Sequence, residues 1–133
     1  GAYEIKNGMN QIKIHASTKN TKKVAASRSH NNQEMNNFLE KLDAYTIVNI
    51  GSSLKFCLVA NGEIDIYPRL GPTSEWDTAA GEAILKSAGG SVIDLELRNI
   101  VYNKENLLNP SFIAANDLDT AKEILDLINY EKK

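Results

Sequence analysis

The sequence predicts an α/β domain, with a mostly parallel or mixed sheet and helices on both faces. Two observations lead to this fold class. Short β-branched or apolar runs alternate along the chain with longer segments whose apolar residues recur at helical spacing. The length of 133 residues, with 42% hydrophobic and 24% charged residues, suits one domain with a sizeable core. Because such sheets bind ligands beyond the carboxyl ends of their strands, functional residues are expected directly after the strands.

Six segments predict strands from their β-branched and apolar residues. They are residues 11–17, Val24 to Ser27, residues 45–50, residues 63–69, residues 91–97 and residues 111–117. The first alternates apolar and polar residues, which indicates one solvated face. The third, YTIVNI, is β-branched and mostly apolar up to a break at Gly51, and it predicts a fully buried strand. Pro68 is expected either to end the fourth strand or to mark it as an edge strand.

Four segments predict helices, and a loop is predicted at residues 70–77, LGPTSEWD. The helices are residues 31–42, 52–62, 78–90 and 117–133. The inward face of the first is predicted to hold Met35, Phe38, Leu39 and Leu42, and that of the third Ala80, Ile84, Leu85 and Ala88. Gly62 is expected to stop the second helix and Gly89-Gly90 the third, while Asp117 or Asp119 begins the last.

Charge and cysteine content exclude several classes of partner. The net charge of −2 provides no basic field for a nucleic acid polymer or an anionic membrane. No apolar run is long enough to span a bilayer, and no signal peptide is recognisable. No integral membrane segment is therefore expected, while peripheral association with an inner membrane stays open. Cys57 is the only cysteine, which excludes an internal disulfide and fits the cytoplasm; its apolar surroundings predict a buried core residue.

Two predicted strand ends carry residues suited to phosphate binding. SRSH (residues 27–30) and GSSLK (residues 51–55) place hydroxyls and backbone N–H groups at helix starts, where anions are attracted. Lys55 adds a mobile positive charge and His30 a titratable donor. The alternative is that the serines are ordinary helix N-caps and His30 an exposed loop residue. Neither common nucleotide-binding fingerprint is present in the sequence.

Asp77, in the segment EWDTAAGEAILKSAGG (residues 75–90), is an isolated carboxylate with two interpretations. As a helix cap it would accept N–H groups of Ala79 or Ala80. As a Mg²⁺ ligand it would supply one of the one or two carboxylates that this ion takes beside water and phosphate oxygens. Glu75 and Asp65 are near in sequence, but neither spacing makes a recognisable paired site. Both interpretations stay open from the residues alone.

Several segments resemble a known family of phosphatases. Residues 51–90 resemble the carboxyl-terminal half of the inositol monophosphatase-like phosphatases, and WDTAAG before a helix ending in AGG is similar to the second signature of that superfamily. SRSH, GSSLKFC, YPRLGPT and LLNPSF resemble its bacterial 3′(2′),5′-bisphosphate nucleotidase branch. The resemblance runs from about residue 24 to about residue 115, with five motifs in the expected order.

The resemblance implies a function and site residues. It implies Mg²⁺-dependent removal of the 3′-phosphate of 3′-phosphoadenosine 5′-phosphate, a small bisphosphate nucleotide, to give AMP. Asp77 would be the catalytic metal ligand beside the substrate. The substrate-binding residues would be Ser27, His30, Gly51, Ser52, Lys55, Arg69 and Asp77. Arg69 occupies a loop where inositol-specific relatives carry a glutamate, and its charge and forked donors favour an anionic substrate group.

The other metal ligands of the family lie in an amino-terminal signature, DP-x-DGT, which this sequence lacks. Residues 1–133 are therefore expected to form the carboxyl-terminal domain of a two-domain phosphatase, inactive without its amino-terminal metal-binding domain. Three alternatives remain: a non-catalytic module that binds a phosphorylated nucleotide, an inositol or sugar monophosphatase of the same superfamily, and a structural domain whose glycines and serines only form turns.

Overall fold

The structure, a computed structural model of the chain, describes residues 2–6, 10–14, 22–26, 33–42, 45–50, 54–70, 73–100, 108–109 and 111–130. For residues 2–6, 10–14, 34, 54, 73–77, 108–109 and 128–130 it describes the backbone alone.

Within these ranges, five strands form a central mixed sheet. The elements in chain order are β1 (Ala2–Lys6), β2 (Asn10–Ile14), β3 (Lys23–Ala26), α1 (Gln33–Glu40), β4 (Thr46–Asn49), α2 (Leu54–Ala60), β5 (Ile66–Arg69), β6 (Thr73–Ser74), α3 (Glu75–Ser87), β7 (Ser91–Asp94), β8 (Leu108–Asn109), β9 (Phe112–Ala115) and α4 (Leu118–Tyr130). The sheet has the order β4-β3-β5-β9-β7. β3 is parallel to β4 and β5, whereas β9 is antiparallel to β5 and β7. The predicted fold class is confirmed.

Each face of the sheet has its own core, because successive strand residues point to opposite faces. One core joins strand residues to α2 and α3, and its largest members are Phe56, Tyr67, Leu85 and Phe112. The other joins the alternate strand residues to α1 and α4, and it includes Phe38, Ile66, Ile113 and Ile124. Helices therefore cover both faces, as predicted.

The first and last helices of the domain agree with the sequence predictions. On α1, Met35, Phe38 and Leu42 are buried and Leu39 packs against the same core. α4 begins after Asp117, whose Oδ1 accepts the backbone N–H of Thr120 at 2.7 Å. Asp117 is thus the N-cap, which leaves Asp119 inside the first turn.

The third helix begins earlier than predicted and buries a partly different face. Residues 70–77 are not all loop, since β6 pairs antiparallel with β8 and α3 begins at Glu75. Leu85 and Ala88 are buried as predicted, but Ala80 and Ile84 are exposed. The buried face includes instead three residues with no apolar bulk: Thr78, Gly81 and Glu82. The apolar pattern missed Gly81 because that position packs so closely against Phe56 that a side chain would not fit.

Glycines end α2 and α3 as predicted. After α3, the Gly90 N–H donates to the Leu85 carbonyl at 2.9 Å and the Gly89 N–H to the Lys86 carbonyl at 3.0 Å. Gly89 has a φ of 95°, so these bonds form a Schellman cap with glycine in the left-handed conformation. Gly62 ends α2 with a φ of 86°.

Three strand predictions need correction. β4 is an edge strand and not a fully buried one: Thr46, Ile47 and Asn49 are exposed, with Ile47 41% exposed. Its β-branched composition indicates a strand but does not indicate what covers it. Pro68 lies within β5, which is an interior strand. Proline has no N–H to donate, and it is tolerated here because β3 pairs with β5 only at Ile66, before the proline. β7 stops at Asp94, three residues earlier than predicted.

Two further sequence predictions concern Cys57 and the membrane. Cys57 is only partly buried on α2, because the opposite side of this short helix faces the sheet. Among the residues that the structure describes, no helix has the length and apolar character needed to cross a bilayer.

Candidate functional site

The parallel strands β3, β4 and β5 end together at one edge of the sheet, which we call the carboxyl edge. The last residues of β3 and β4, Ala26 and Asn49, are register partners, and β5 lies on the other side of β3. The two predicted phosphate-binding segments therefore follow adjacent strands. Four of the predicted site residues lie outside the described part of the chain, and their roles stay predictions: Ser27, His30, Gly51 and Ser52.

Lys55 is a buried cation at this edge. It is the second residue of α2 and only 3% exposed. Its Nζ lies over the ring of Tyr67, 5.1 Å from the ring centroid, within the range of a cation–π contact. Burial lowers the pKa of Lys55 from its usual 10.5, and the positive charge of Arg69 lowers it further. An anion bound at this position would stabilise the charged form of Lys55 against both burial and the charge of Arg69.

Arg69 brings a second cation to the same place. It is the last residue of β5 and is partly exposed. Since strand residues alternate, Arg69 and Tyr67 share the face of the sheet that α2 covers. The structure thus brings together two predicted site residues, Lys55 and Arg69. It adds Tyr67, which the sequence reasoning missed although its spacing of two from Arg69 indicated a shared face.

Asp77 lies in the first turn of α3, and the cap interpretation is wrong. The helix begins at Glu75, so Asp77 is its third residue, whereas an N-cap precedes the first helical residue. The structure describes only the backbone at this position. The metal-ligand role of Asp77 therefore stays a prediction.

A close contact between α2 and α3 relates Asp77 to Lys55. A Cβ added at Gly81 would lie 2.5 Å from Cδ2 of Phe56, so the two helices approach as closely as glycine permits. Phe56 adjoins Lys55 in sequence, and Gly81 follows Asp77 by about one helical turn. The Gly81–Phe56 contact therefore sets how closely the two helices that carry these predicted site residues approach each other.

Asp94 is a carboxylate at the same edge, with a structural role. It is 6% exposed and accepts the backbone N–H groups of Glu96 at 2.8 Å and Arg98 at 2.9 Å, together with Nε of Arg98 at 3.0 Å. Burial alone would raise the pKa of Asp94, but these hydrogen bonds and the charge of Arg98 outweigh it and lower the pKa. The ionised carboxylate closes the turn after β7.

Other acidic residues do not complete a metal site in the described part of the chain. Asp65 precedes β5 at the opposite edge, where its Oδ2 accepts the backbone N–H of Lys22 at 3.1 Å. Glu82 is buried on α3 and forms an ion pair with Lys86 at 2.6 Å. Among the described residues, no group of three or more His, Cys, Asp or Glu is placed to hold a metal ion. The residues present therefore fit Mg²⁺ only as a partial ligand set, with Asp77 as its candidate member.

Comparison with known proteins identifies the family. Residues 3–130 match the inositol monophosphatase family. The chain belongs to the inositol monophosphatase family. The resemblance to this family seen in the sequence is thereby confirmed. The chain is 50% identical over 90 residues to the 3′(2′),5′-bisphosphate nucleotidase CysQ of Salmonella typhimurium. That match covers 67% of this chain and 37% of the relative.

Two solved structures share the fold. CysQ from Bacteroides thetaiotaomicron superimposes with a TM-score of 0.67 and 45% sequence identity, over 70% of this chain and 36% of that one. The extragenic suppressor protein suhB from Bartonella henselae has a TM-score of 0.70 at 20% identity, over 95% of this chain and 51% of that one; at that identity only the fold is shared. The chain thus spans little more than a third of the length of these two CysQ proteins.

Proposed function

We propose that this chain is the substrate-binding part of a Mg²⁺-dependent 3′(2′),5′-bisphosphate nucleotidase. The reaction is removal of the 3′-phosphate of 3′-phosphoadenosine 5′-phosphate to give AMP. The observation that carries the proposal is the pair of cations, Lys55 and Arg69, at the carboxyl edge of the sheet. The names of the CysQ relatives support the reaction class. The lone cysteine fits the reducing cytoplasm, where we place the reaction.

The two cations favour a substrate with a second phosphate. Arg69 is close enough to Lys55 for its charge to lower the pKa of Lys55. An anion bound between the two cations would reduce their mutual repulsion. Arg69 can also bind phosphate oxygens through two parallel N–H donors. An inositol monophosphate offers only hydroxyl groups beyond its reacting phosphate. We therefore assign Lys55 and Arg69 to the phosphate that is not cleaved.

Asp77 is proposed as the metal ligand of this chain. Mg²⁺, when bound, stabilises the charge that develops on a reacting phosphate and activates a water molecule. The first turn of α3 begins directly after β6, so its backbone holds Asp77 on a regular element. We propose that the remaining ligands come from an amino-terminal domain of the same protein. The chain by itself is then expected to bind the nucleotide without hydrolysing it.

The test measures phosphate release from 3′-phosphoadenosine 5′-phosphate with Mg²⁺. We expect no turnover by the chain, and turnover by a two-domain protein that contains it. In the two-domain protein, Asp77→Asn should abolish most of the activity, and Lys55→Met and Arg69→Gln should each raise KM. Arg98→Gln is the matched control, because the Arg98 side chain is 68% exposed and belongs to the structural turn.

Three results would contradict the proposal. Near-wild-type hydrolysis by Asp77→Asn would remove the metal assignment. Robust turnover by the chain alone would show that no second domain is needed. Nucleotide binding without hydrolysis in the two-domain protein would favour a binding module instead.

A further inference from the structure

Tyr67 occupies a position that the proposed chemistry does not by itself require. It lies in the middle of β5 and is 7% exposed. Its ring makes edge-on contacts with Phe56, at 5.1 Å between centroids, and with Phe112, at 5.4 Å. Phe56 and Phe112 stack on each other at 5.7 Å. The three rings therefore hold one another, and the Tyr67 ring has little freedom to rotate.

The Lys55 ammonium group lies over this fixed ring. A lysine side chain has four rotatable bonds, so holding its charged end in one place costs conformational entropy. An aromatic face attracts a cation more strongly when the cation has lost its water, and Lys55 is 3% exposed. The ring thus stabilises an ammonium group that burial and the charge of Arg69 both disfavour.

We propose that Tyr67 is a positioning residue: its ring holds the Lys55 ammonium group beside Arg69, so that the uncleaved phosphate meets a preordered pair of cations. This inference rests on the proposed function, in which Lys55 and Arg69 contact that phosphate. Phosphate binding then does not require the ordering of a mobile lysine. Because the contact with Lys55 is made by the ring face, phenylalanine should replace Tyr67 in this role, whereas leucine should not.

The binding test uses the 133-residue chain and isothermal titration with 3′-phosphoadenosine 5′-phosphate. We expect Tyr67→Leu to raise Kd about three- to tenfold, which corresponds to the loss of one desolvated cation–π contact. Tyr67→Phe should stay within about twofold of the wild type. Phe38→Leu is the control for lost stability, because it removes a buried ring from the core on the opposite face of the sheet.

A second measurement reports the position of Lys55 directly. In NMR spectra, the ε-methylene protons of Lys55 should be shifted upfield by the Tyr67 ring. The shift should persist in Tyr67→Phe and disappear in Tyr67→Leu. The shift locates the Lys55 ammonium group over the ring, and the Kd values test the positioning role. A merely structural role for Tyr67 would weaken binding in Tyr67→Leu and Phe38→Leu alike, whereas a positioning role weakens binding in Tyr67→Leu and not in Phe38→Leu.

The outcomes separate this inference from the proposed function. If Lys55→Met weakens binding but Tyr67→Leu does not, or if the upfield shift is absent, the positioning role is wrong and the proposed site stands. If the wild-type chain does not bind the nucleotide at all, both fail. If Lys55→Met binds as tightly as the wild type, the assignment of Lys55 to the substrate is wrong.

Discussion

The contact between Gly81 and Phe56 makes a specific prediction about Gly81→Ala. On the exposed face of a helix, this substitution should stabilise by about 1 kcal/mol through helix propensity. Here the new Cβ would lie 2.5 Å from Cδ2, 2.7 Å from Cγ and 2.9 Å from Cβ of Phe56. Ordinary carbon contacts are about 3.5–4.0 Å, so the overlap is about 1 Å. Phe56 is 1% exposed and is held by two other rings, so it has no space to move.

Overpacking of this kind costs about 1–3 kcal/mol. After the propensity gain is subtracted, we expect Gly81→Ala to lower the free energy of unfolding by about 1 kcal/mol. The assay is urea unfolding followed by circular dichroism. Ala80→Gly, at an exposed position of the same helix, calibrates the propensity contribution. The double variant Phe56→Leu/Gly81→Ala should lose less than the sum of the two single changes, because the smaller side chain makes room.

A Gly81→Ala variant more stable than the wild type would refute the reasoning. It would show that α2 and α3 are not held at the distance that glycine permits. The functional consequence would also fail, since the same contact determines the spacing between Lys55 on α2 and Asp77 on α3.

Three further predictions concern charge and capping. Lys55→Met should raise the free energy of unfolding at neutral pH by about 1 kcal/mol in urea titrations, because it removes a buried charge. The folded-state pKa of Lys55 lies below 10.5, so the stability of the wild type should rise as pH goes from that pKa towards 10.5. The variant should lack this rise. The folded-state pKa of Asp94 lies below 3.8, so the stability that its carboxylate contributes is present above pH 3.8 and is lost as pH falls through the folded-state pKa. The difference in free energy of unfolding between the wild type and Asp94→Asn should therefore shrink when urea unfolding is measured at pH values from about 6 down to about 3. Asp117→Ala should lower the free energy of unfolding by about 1 kcal/mol in urea titrations, because it removes the N-cap of α4. Asp119→Ala is the control and should have a smaller effect.

Local features of the chain predicted most elements of the fold. The start of α4 at Asp117 or Asp119 and the glycine stops after α2 and α3 were predicted because each depends on residues a few positions apart. The inward face of α1 followed from helical spacing alone. α3 was predicted less well, since its buried face depends on Gly81 fitting against a ring 25 positions earlier in the chain.

The sequence by itself determined the fold class, the family and the identity of the two cations, Lys55 and Arg69. The fold class follows from periodicity and composition, and Lys55 from its place after a predicted strand. The family and Arg69 follow from the resemblance of short motifs to a known family. All of these are properties of neighbouring residues. Only the tertiary structure decided that β4 lies at the sheet edge and that the Lys55 ammonium group lies over Tyr67. The physical reason is that strand order and contacts between distant side chains depend on the packing of the whole domain, which no local preference encodes.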